Sequence, residues 1–327
     1  MRKLLLLLAA IAALAIAAVP TATPKSHAPQ LKVALIAPSA HNDLAFTQSM
    51  HHALLNLQKK FNFQLSLSEN QFVVANAANI MHQYAQEGYD LIIAHGSQYG
   101  ATVQQLAPQF PKTTFAWGTA GETYGLPNVY AYQAASEQGG YVNGFVAALM
   151  SKTHVLGVIG PIAVGDAKLY VDGFVAGAKA AGKKTAVQVA YTGSFSDPSL
   201  MSKQASQFIA QKADVLTGSS QSVVGAINVA RENHAMWFGT QWTQASLAPK
   251  NTVATQMYDW MPILKQMFTR MQDGKKAGVT YTITLKNGGE KIQFNKSFPT
   301  PKSIKVKAAS IIAKISSGKI KVLPVGQ

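Results

Sequence analysis

The residues best suited to binding or reacting sit between apolar runs rather than inside them. Asn42, Asp43 and Phe46 follow the first run, and His95, Gly96 and Tyr99 follow the third. Phe195, Gln221, Gln241, Trp242, Gln244, Tyr258 and Trp260 follow later ones. Aromatic faces stack on planar heterocycles. Amides and carboxylates read the donor and acceptor edges of such rings. A flat, nearly neutral ligand such as a purine suits this set better than a phosphate or a sugar acid.

Catalytic patterns are weaker. Gly160-Pro161-Ile162-Ala163-Val164-Gly165 has the glycine spacing of a phosphate loop, but Asp166 stands where the lysine is needed. Gly157-x-x-Gly160 lacks the remaining glycine of a dinucleotide fingerprint and reads as close strand–helix packing. Gly96-Ser97-Gln98-Tyr99-Gly100 puts its serine out of place for a nucleophile elbow. His51 and His52 are adjacent, so they face different sides of a helix and cannot chelate together. The chain has no cysteine, which removes disulfides, thiolate metal sites and cysteine nucleophiles. Asp43, Asp197 and Asp259 could serve a nucleoside hydrolase as acid or base, but they lie on separate loops without paired spacing. The expectation is a binding protein rather than an enzyme, without metal or cofactor.

The elements that must carry these loops alternate. Leu31–Ala37 reads as a buried strand, followed by a helix over 44–61 with Met50, Leu54, Leu57 and Phe61 on one face. Strand and helix then repeat: strand 63–67, helix 74–87, strand 90–94, helix 99–108, strands 113–117 and 129–132. A second series holds helices 137–151, 166–181, 199–211, 222–233 and 259–273, with strands at 154–160, 186–191, 213–217, 235–239 and 251–255. Two such series predict an α/β chain of two doubly wound parallel-sheet lobes. Ligands then bind beyond the carboxyl ends of the strands, in a cleft between the lobes. The loops that reach it are 37–47, 95–99, 118–124, 160–166, 192–197, 217–221, 240–244 and 256–260.

Arg2 and Lys3 precede an uninterrupted apolar run, Leu4–Val19, and Ser26-His27-Ala28 is a small-x-small site. Residues 1–28 therefore read as a cleaved secretory signal, and a periplasmic location without a lipid-bearing cysteine is expected. The chain of 327 residues has 29 basic and 14 acidic side chains, a net of +15. Residues 29–264 hold 13 basic and 12 acidic residues, whereas 265–327 hold 13 basic against Asp273 and Glu290. The excess belongs to outer strands and a final helix, away from the cleft loops. Nucleic acid is not expected as a partner, because the body is neutral and carries no recognised motif. The tail reads either as a solvated face or as a device that orients the protein at an anionic membrane or permease surface.

Several blocks carry a family resemblance. They are Asn42-Asp43-x-x-Phe46-Thr47-Gln48, Glu137-x-x-x-Tyr141-x-x-Gly144-x-x-Ala147-Ala148-x-x-Ser151-Lys152, Asp172-Gly173-Phe174-x-x-Gly177-Ala178 and Gly193-Ser194-Phe195-x-Asp197. In this order they resemble the basic membrane protein family of periplasmic substrate-binding proteins. Lys314–Val322 resembles that family's closing strand. The resemblance implies a type I periplasmic-binding fold with three crossovers and delivery of a purine base or nucleoside to an ABC permease complex. It also implies an N-terminal lobe of 29–131 plus about 256–285, and a C-terminal lobe of 132–255 plus about 286–327, after the signal at 1–28. A monomer is expected, and a ligand-sensing partner of a membrane receptor is the other reading. The chain departs from the family at Gly239-Thr240-Gln241-Trp242-Thr243-Gln244 and at Gln256–Trp260, where a site lysine is missing. A ribose-binding aspartate is replaced around Gly118-Thr119. These losses favour a free nucleobase. Phe46 and Trp242 are expected to wall its ring, with Asn42, Asp43, Gln241 and Gln244 at its edges.

Overall fold

The computed structural model describes residues 30–322. The run read as a secretory signal lies outside them. The first lobe contains β1 (Leu31–Ile36), α1 (Phe46–Phe61), β2 (Phe63–Ser68), α2 (Val74–Gln86), β3 (Leu91–Ala94), a 3-10 turn at Ser97–Tyr99, α3 (Gly100–Leu106), β4 (Thr114–Gly118) and β5 (Val129–Ala134). The second contains α4 (Ser136–Met150), β6 (Val155–Gly160), α5 (Gly165–Ala180), β7 (Ala186–Tyr191), α6 (Pro198–Ala210), β8 (Val215–Gly218), α7 (Val224–Glu232), β9 (Met236–Gln241) and β10 (Thr252–Tyr258). The chain returns to the first lobe through α8 (Met261–Gln272) and β11 (Val279–Ile283). It ends in the second with β12 (Glu290–Phe294) and α9 (Lys302–Ser316).

Two six-stranded sheets result, ordered β11-β5-β4-β3-β1-β2 and β12-β10-β9-β8-β6-β7. Every pairing is parallel except that of β12 with β10. The apolar strand runs are explained by coverage on both faces. Val33 and Leu35 of β1 pack toward α1 and α8, while Ala34 and Ile36 pack toward α2 and α3. The second sheet is sandwiched likewise between α4, α5 and α9 on one face and α6 and α7 on the other. On α1, the face predicted from Met50, Leu54, Leu57 and Phe61 is the buried one.

The helices α4 and α5 approach unusually closely, and glycine makes that possible. A Cβ on Gly144 would lie 2.0 Å from the Phe174 carbonyl oxygen, and one on Gly177 would lie 1.9 Å from that of Tyr141. Each helix thus sets its glycines against the other's backbone. This packing anchors the N-terminus of α5, which borders the cleft.

The chain passes between lobes at three places: Ala134 to Ser136, Tyr258 to Met261, and Ile283 to Glu290. Hydrogen bonds tie the three together. Ala135 N donates to Ile283 O at 2.9 Å, and Asp259 N donates to Gly289 O at 2.7 Å. The hydroxyls of Ser136 and Tyr258 are 2.6 Å apart. Gln256 Nε2 donates to Ser136 O and to Glu290 Oε1, while Gly139 N donates to Glu290 Oε2. Burial holds the Glu290 carboxyl well above the usual carboxylate range.

Two expectations are corrected. Gln256 to Tyr258, placed in a loop by the sequence, belong to β10, because that strand pairs with β9 on one side and β12 on the other. Lys314–Val322 is not a strand. Residues 314–316 end α9, and the chain then folds back onto the helix, with Gly318 at φ 76° and Ile320 N donating to Lys314 O. The apolar residues there still pack, Ile320 and Val322 against the second lobe's core.

Candidate ligand-binding site

The carboxyl ends of both parallel sheets face one cavity. The first lobe contributes Phe46 from the start of α1 and Phe72 from the β2–α2 connection. Gly96, Ser97 and Gln98 after β3, and Thr119 after β4, complete its side. The second lobe contributes Val164–Ala167 after β6, Phe195 after β7, Ser219–Gln221 after β8, and Gln241 at the end of β9. The lobes come close here: a Cβ on Gly165 would lie 3.7 Å from the Thr119 Cβ.

Several buried polar atoms of this lining have no protein partner. They are Ser219 Oγ, Gln221 Oε1, Gln241 Oε1 and the carboxyl oxygens of Asp166, which no geometrically sound hydrogen bond reaches although the Ala134 backbone N–H lies near. Burial raises the Asp166 carboxyl to about 7, and the neighbouring Glu137 charge pushes the same way. Glu137 is itself raised to about 7 by burial. A buried polar atom without a partner costs roughly 1–3 kcal/mol. Several of them on one cavity wall form a surface prepared for a polar ligand. Gln241 also holds φ 67°, a left-handed conformation that is costly for a non-glycine residue and that clusters at binding sites.

Of the residues expected from sequence, Phe46, Gly96, Phe195, Gln221 and Gln241 meet in this cavity. His95 lies behind it, stacked on Phe46, with Nδ1 2.8 Å from Tyr132 OH and Nε2 3.1 Å from Phe46 O. Asn42 is exposed. Asp43 is engaged at the start of α1, accepting from the N–H groups of Ala45, Thr47 and Gln48 and from Ser39 Oγ. Tyr99 donates its hydroxyl to Gln71 O. Gln244 accepts from Trp237 Nε1 and donates to Thr240 O, and across the lobes to Leu44 O. Tyr258 and Trp260 are buried near the crossovers, Trp260 donating to Ser49 Oγ. Trp242 lies in a separate depression with His52, 4.8 Å between ring centroids, together with Met257 and Met261.

The other two carboxylates available for acid–base work are also held at helix starts. Asp197 caps α6 through Ser199 N and Leu200 N, and Asp259 accepts from Met261 N and pairs with Lys291. The sequence reading passed over Asp166, Ser219, Ser220, Phe72 and Gln98. Position is the available sign, since Asp166 ends the 160–166 loop where it opens α5, and Ser219–Gln221 directly follow β8, both in loops assigned to the cleft.

Comparison with known proteins agrees with this architecture. A purine-binding protein of Brucella abortus is 26% identical over 298 residues, covering 90% of this chain and 84% of that protein. The transcriptional activator protein med of Bacillus subtilis is 27% identical over 225 residues, 68% of this chain and 69% of that one. A solved solute-binding protein of an ABC transporter system from Conexibacter woesei superposes with a TM-score of 0.75 at 21% identity. It covers 90% of this chain and 99% of its own, a likeness of fold. Residues 30–321 match the family model described as ABC transporter substrate-binding protein, PnrA-like, and the chain belongs to that family.

Proposed function

We propose that the protein captures a free purine base between its lobes and delivers it to an ABC permease. The observation that carries this reading is the acceptor-rich wall of the cavity: Asp166, Gln221 and Gln241 line it beside Phe46 and Phe195, and each has a buried side-chain oxygen without a side-chain partner. Oxygens of this kind call for N–H or O–H donors. A free purine offers its imidazole N–H together with an exocyclic amine or a ring N–H; a nucleoside exchanges the first for ribose hydroxyls, so the preference for the base rests on Thr119. The phenyl rings of the two lobes supply apolar contact to the ring faces. Thr119 stands in the first-lobe wall where the family resemblance places a ribose-binding aspartate, which favours the base. The similarity to a protein named as purine-binding supports the ligand class.

Closure about the three crossovers would bury the base and change the surface shown to the permease, an ordinary hinge response. Residues 1–28 would direct the protein to the periplasm, where it acts as a monomer. Titration calorimetry with adenine, guanine, hypoxanthine and their nucleosides tests the reading. Micromolar or tighter binding of a base is expected, and binding of nucleosides alone would overturn it. A second reading, ligand sensing, draws on the similarity to a protein named as a transcriptional activator. The same cavity would serve it, and deletion of the protein decides by abolishing purine uptake or leaving it intact.

A further inference from the structure

The last helix presents a surface that ligand capture does not use. On α9, Ala308, Ile311 and Ile315 are buried against the second lobe. At 100° per residue the opposite stripe is Val306, Ala309 and Ala313, all exposed, with Val306 60% accessible. Lys302 falls within this stripe, Lys305 borders it on one side with its ammonium over the Phe294 ring, and Lys307 and Lys314 flank it beyond Ser310 on the other. All four are exposed. None of them has an ion-pair partner among the described residues. Lys319 and Lys321 continue the series after the helix.

No acidic residue occurs from Lys291 to the end of the sequence. The second lobe offers little else to balance these charges. Glu137, Asp166 and Glu290 lie in its interior, Asp172 is paired with Lys168, and Asp214 is taken up by Ser151 and the backbone of Lys152 and Thr153, while Asp197 at the start of α6 and the exposed Glu232 at the end of α7 belong to the helices on the other face of the sheet. An exposed basic face with no acidic residue on it, carrying Val306 and two alanines between its lysines, has the electrostatic character of a surface that meets anionic lipid headgroups.

We infer that α9 is a membrane-contact element that holds the protein against anionic phospholipid headgroups. The lysines supply attraction to the headgroups, about fivefold in affinity for each one near the surface. The small side chains let the helix lie close, and Val306 enters the interfacial layer. The binding is peripheral and reversible. It leaves the cleft free, since α9 contributes nothing to the cavity lining.

The test is co-sedimentation with vesicles of pure phosphatidylcholine and with vesicles containing about 30% phosphatidylglycerol, at low and high salt. Wild type is compared with the quadruple variant Lys302→Glu, Lys305→Glu, Lys307→Glu, Lys314→Glu. Both are the full chain as the producing cell leaves it, so the N-terminal apolar run contributes equally. Wild type should bind the anionic vesicles, release in high salt and ignore the neutral ones. The quadruple variant should bind them at least 100-fold more weakly and keep its purine affinity. If that variant does not fold, Val306→Glu, a single change on the outermost position, should still weaken vesicle binding several-fold. Equal binding to neutral vesicles, undiminished binding of the folded variants, or no binding by wild type would overturn the inference. So would binding to duplex DNA as tight as to the anionic vesicles, which would make the helix a nucleic-acid surface instead.

Discussion

The imidazole of His95 lies flat against the ring of Phe46, with centroids 3.8 Å apart and planes 5° from parallel. Phe46 is therefore a supported platform: one face rests on a residue bonded to Tyr132, and its ring borders the cavity. Phe46→Ala should weaken purine binding by about 1–3 kcal/mol, the range of an aromatic–base stack, read by calorimetry. His95→Ala should weaken it less but destabilise the fold by a similar amount, because Tyr132 loses its buried partner.

His95 also sets a pH dependence. Burial lowers it to about 3, against about 6.5 in an unfolded chain, so the native state holds it neutral. Its contribution to stability is complete above pH 6.5 and is lost as pH falls from there toward 3. Denaturant unfolding at pH 7 and pH 4.5 should show that His95→Asn loses less stability on acidification than wild type does.

Asp166 has the opposite sign. Its folded value of about 7 lies above its ordinary one, so its protonated form is favoured by folding and stability falls as pH rises from about 4 through 7. Asp166→Asn removes that cost, and its thermal midpoint at pH 8 without ligand should exceed wild type by several degrees. The same substitution should weaken purine binding at least tenfold if the carboxylate accepts a ligand N–H. Wild-type affinity should then decline as pH falls from 8 to 6, and the variant should lack that decline. A variant that binds as tightly as wild type would remove Asp166 from the site.

The contrast between Phe46 and Asp166 shows what the sequence made legible. The alternation of apolar runs located both sheets, and the rule that ligands gather beyond strand ends located the loops. It could not tell which loop residues turn inward. Asp43 looked like a site carboxylate but sits where the free N–H groups of α1 need an acceptor, and Asp197 and Asp259 meet the same demand at other helices. Trp242 reads as a ring wall, yet Gln241 with its positive φ lines the cavity while Trp242 lines the other depression. Such reversals depend on one backbone angle, and no spacing pattern carries them.

The α4–α5 contact gives a test of the fold alone. Gly144→Ala or Gly177→Ala places a methyl group on a backbone carbonyl of the facing helix, where no rotamer change can relieve it. Each should cost about 3 kcal/mol or more and lower the thermal midpoint clearly. Gly121→Ala meets only ordinary contact at 3.6 Å from Gln133 and should be close to neutral. Equal effects at the two kinds of site would mean that α4 and α5 are not packed as tightly as their glycines require.

On the proposed reading, Thr119 distinguishes base from nucleoside. It borders the cavity at φ 56°, a conformation that a β-branched residue adopts only at a cost, and its hydroxyl is turned back to Gly118 O at 2.7 Å. Aspartate tolerates that backbone better than threonine, so Thr119→Asp should fold at least as well as wild type. It would also restore a carboxylate where the family resemblance places the ribose contact. Calorimetry on this variant should show affinity for adenosine or inosine rising at least tenfold, with affinity for the corresponding base changing no more than about threefold. A charged hydrogen bond to a ribose hydroxyl is worth about 1.5–3 kcal/mol, enough for that change. If nucleoside binding stays absent in a folded variant, the exclusion of ribose comes from the closeness of Gly165 across the cleft and not from the missing charge. Thr119→Gly, which removes the side chain facing Gly165, should then be the variant that admits a nucleoside.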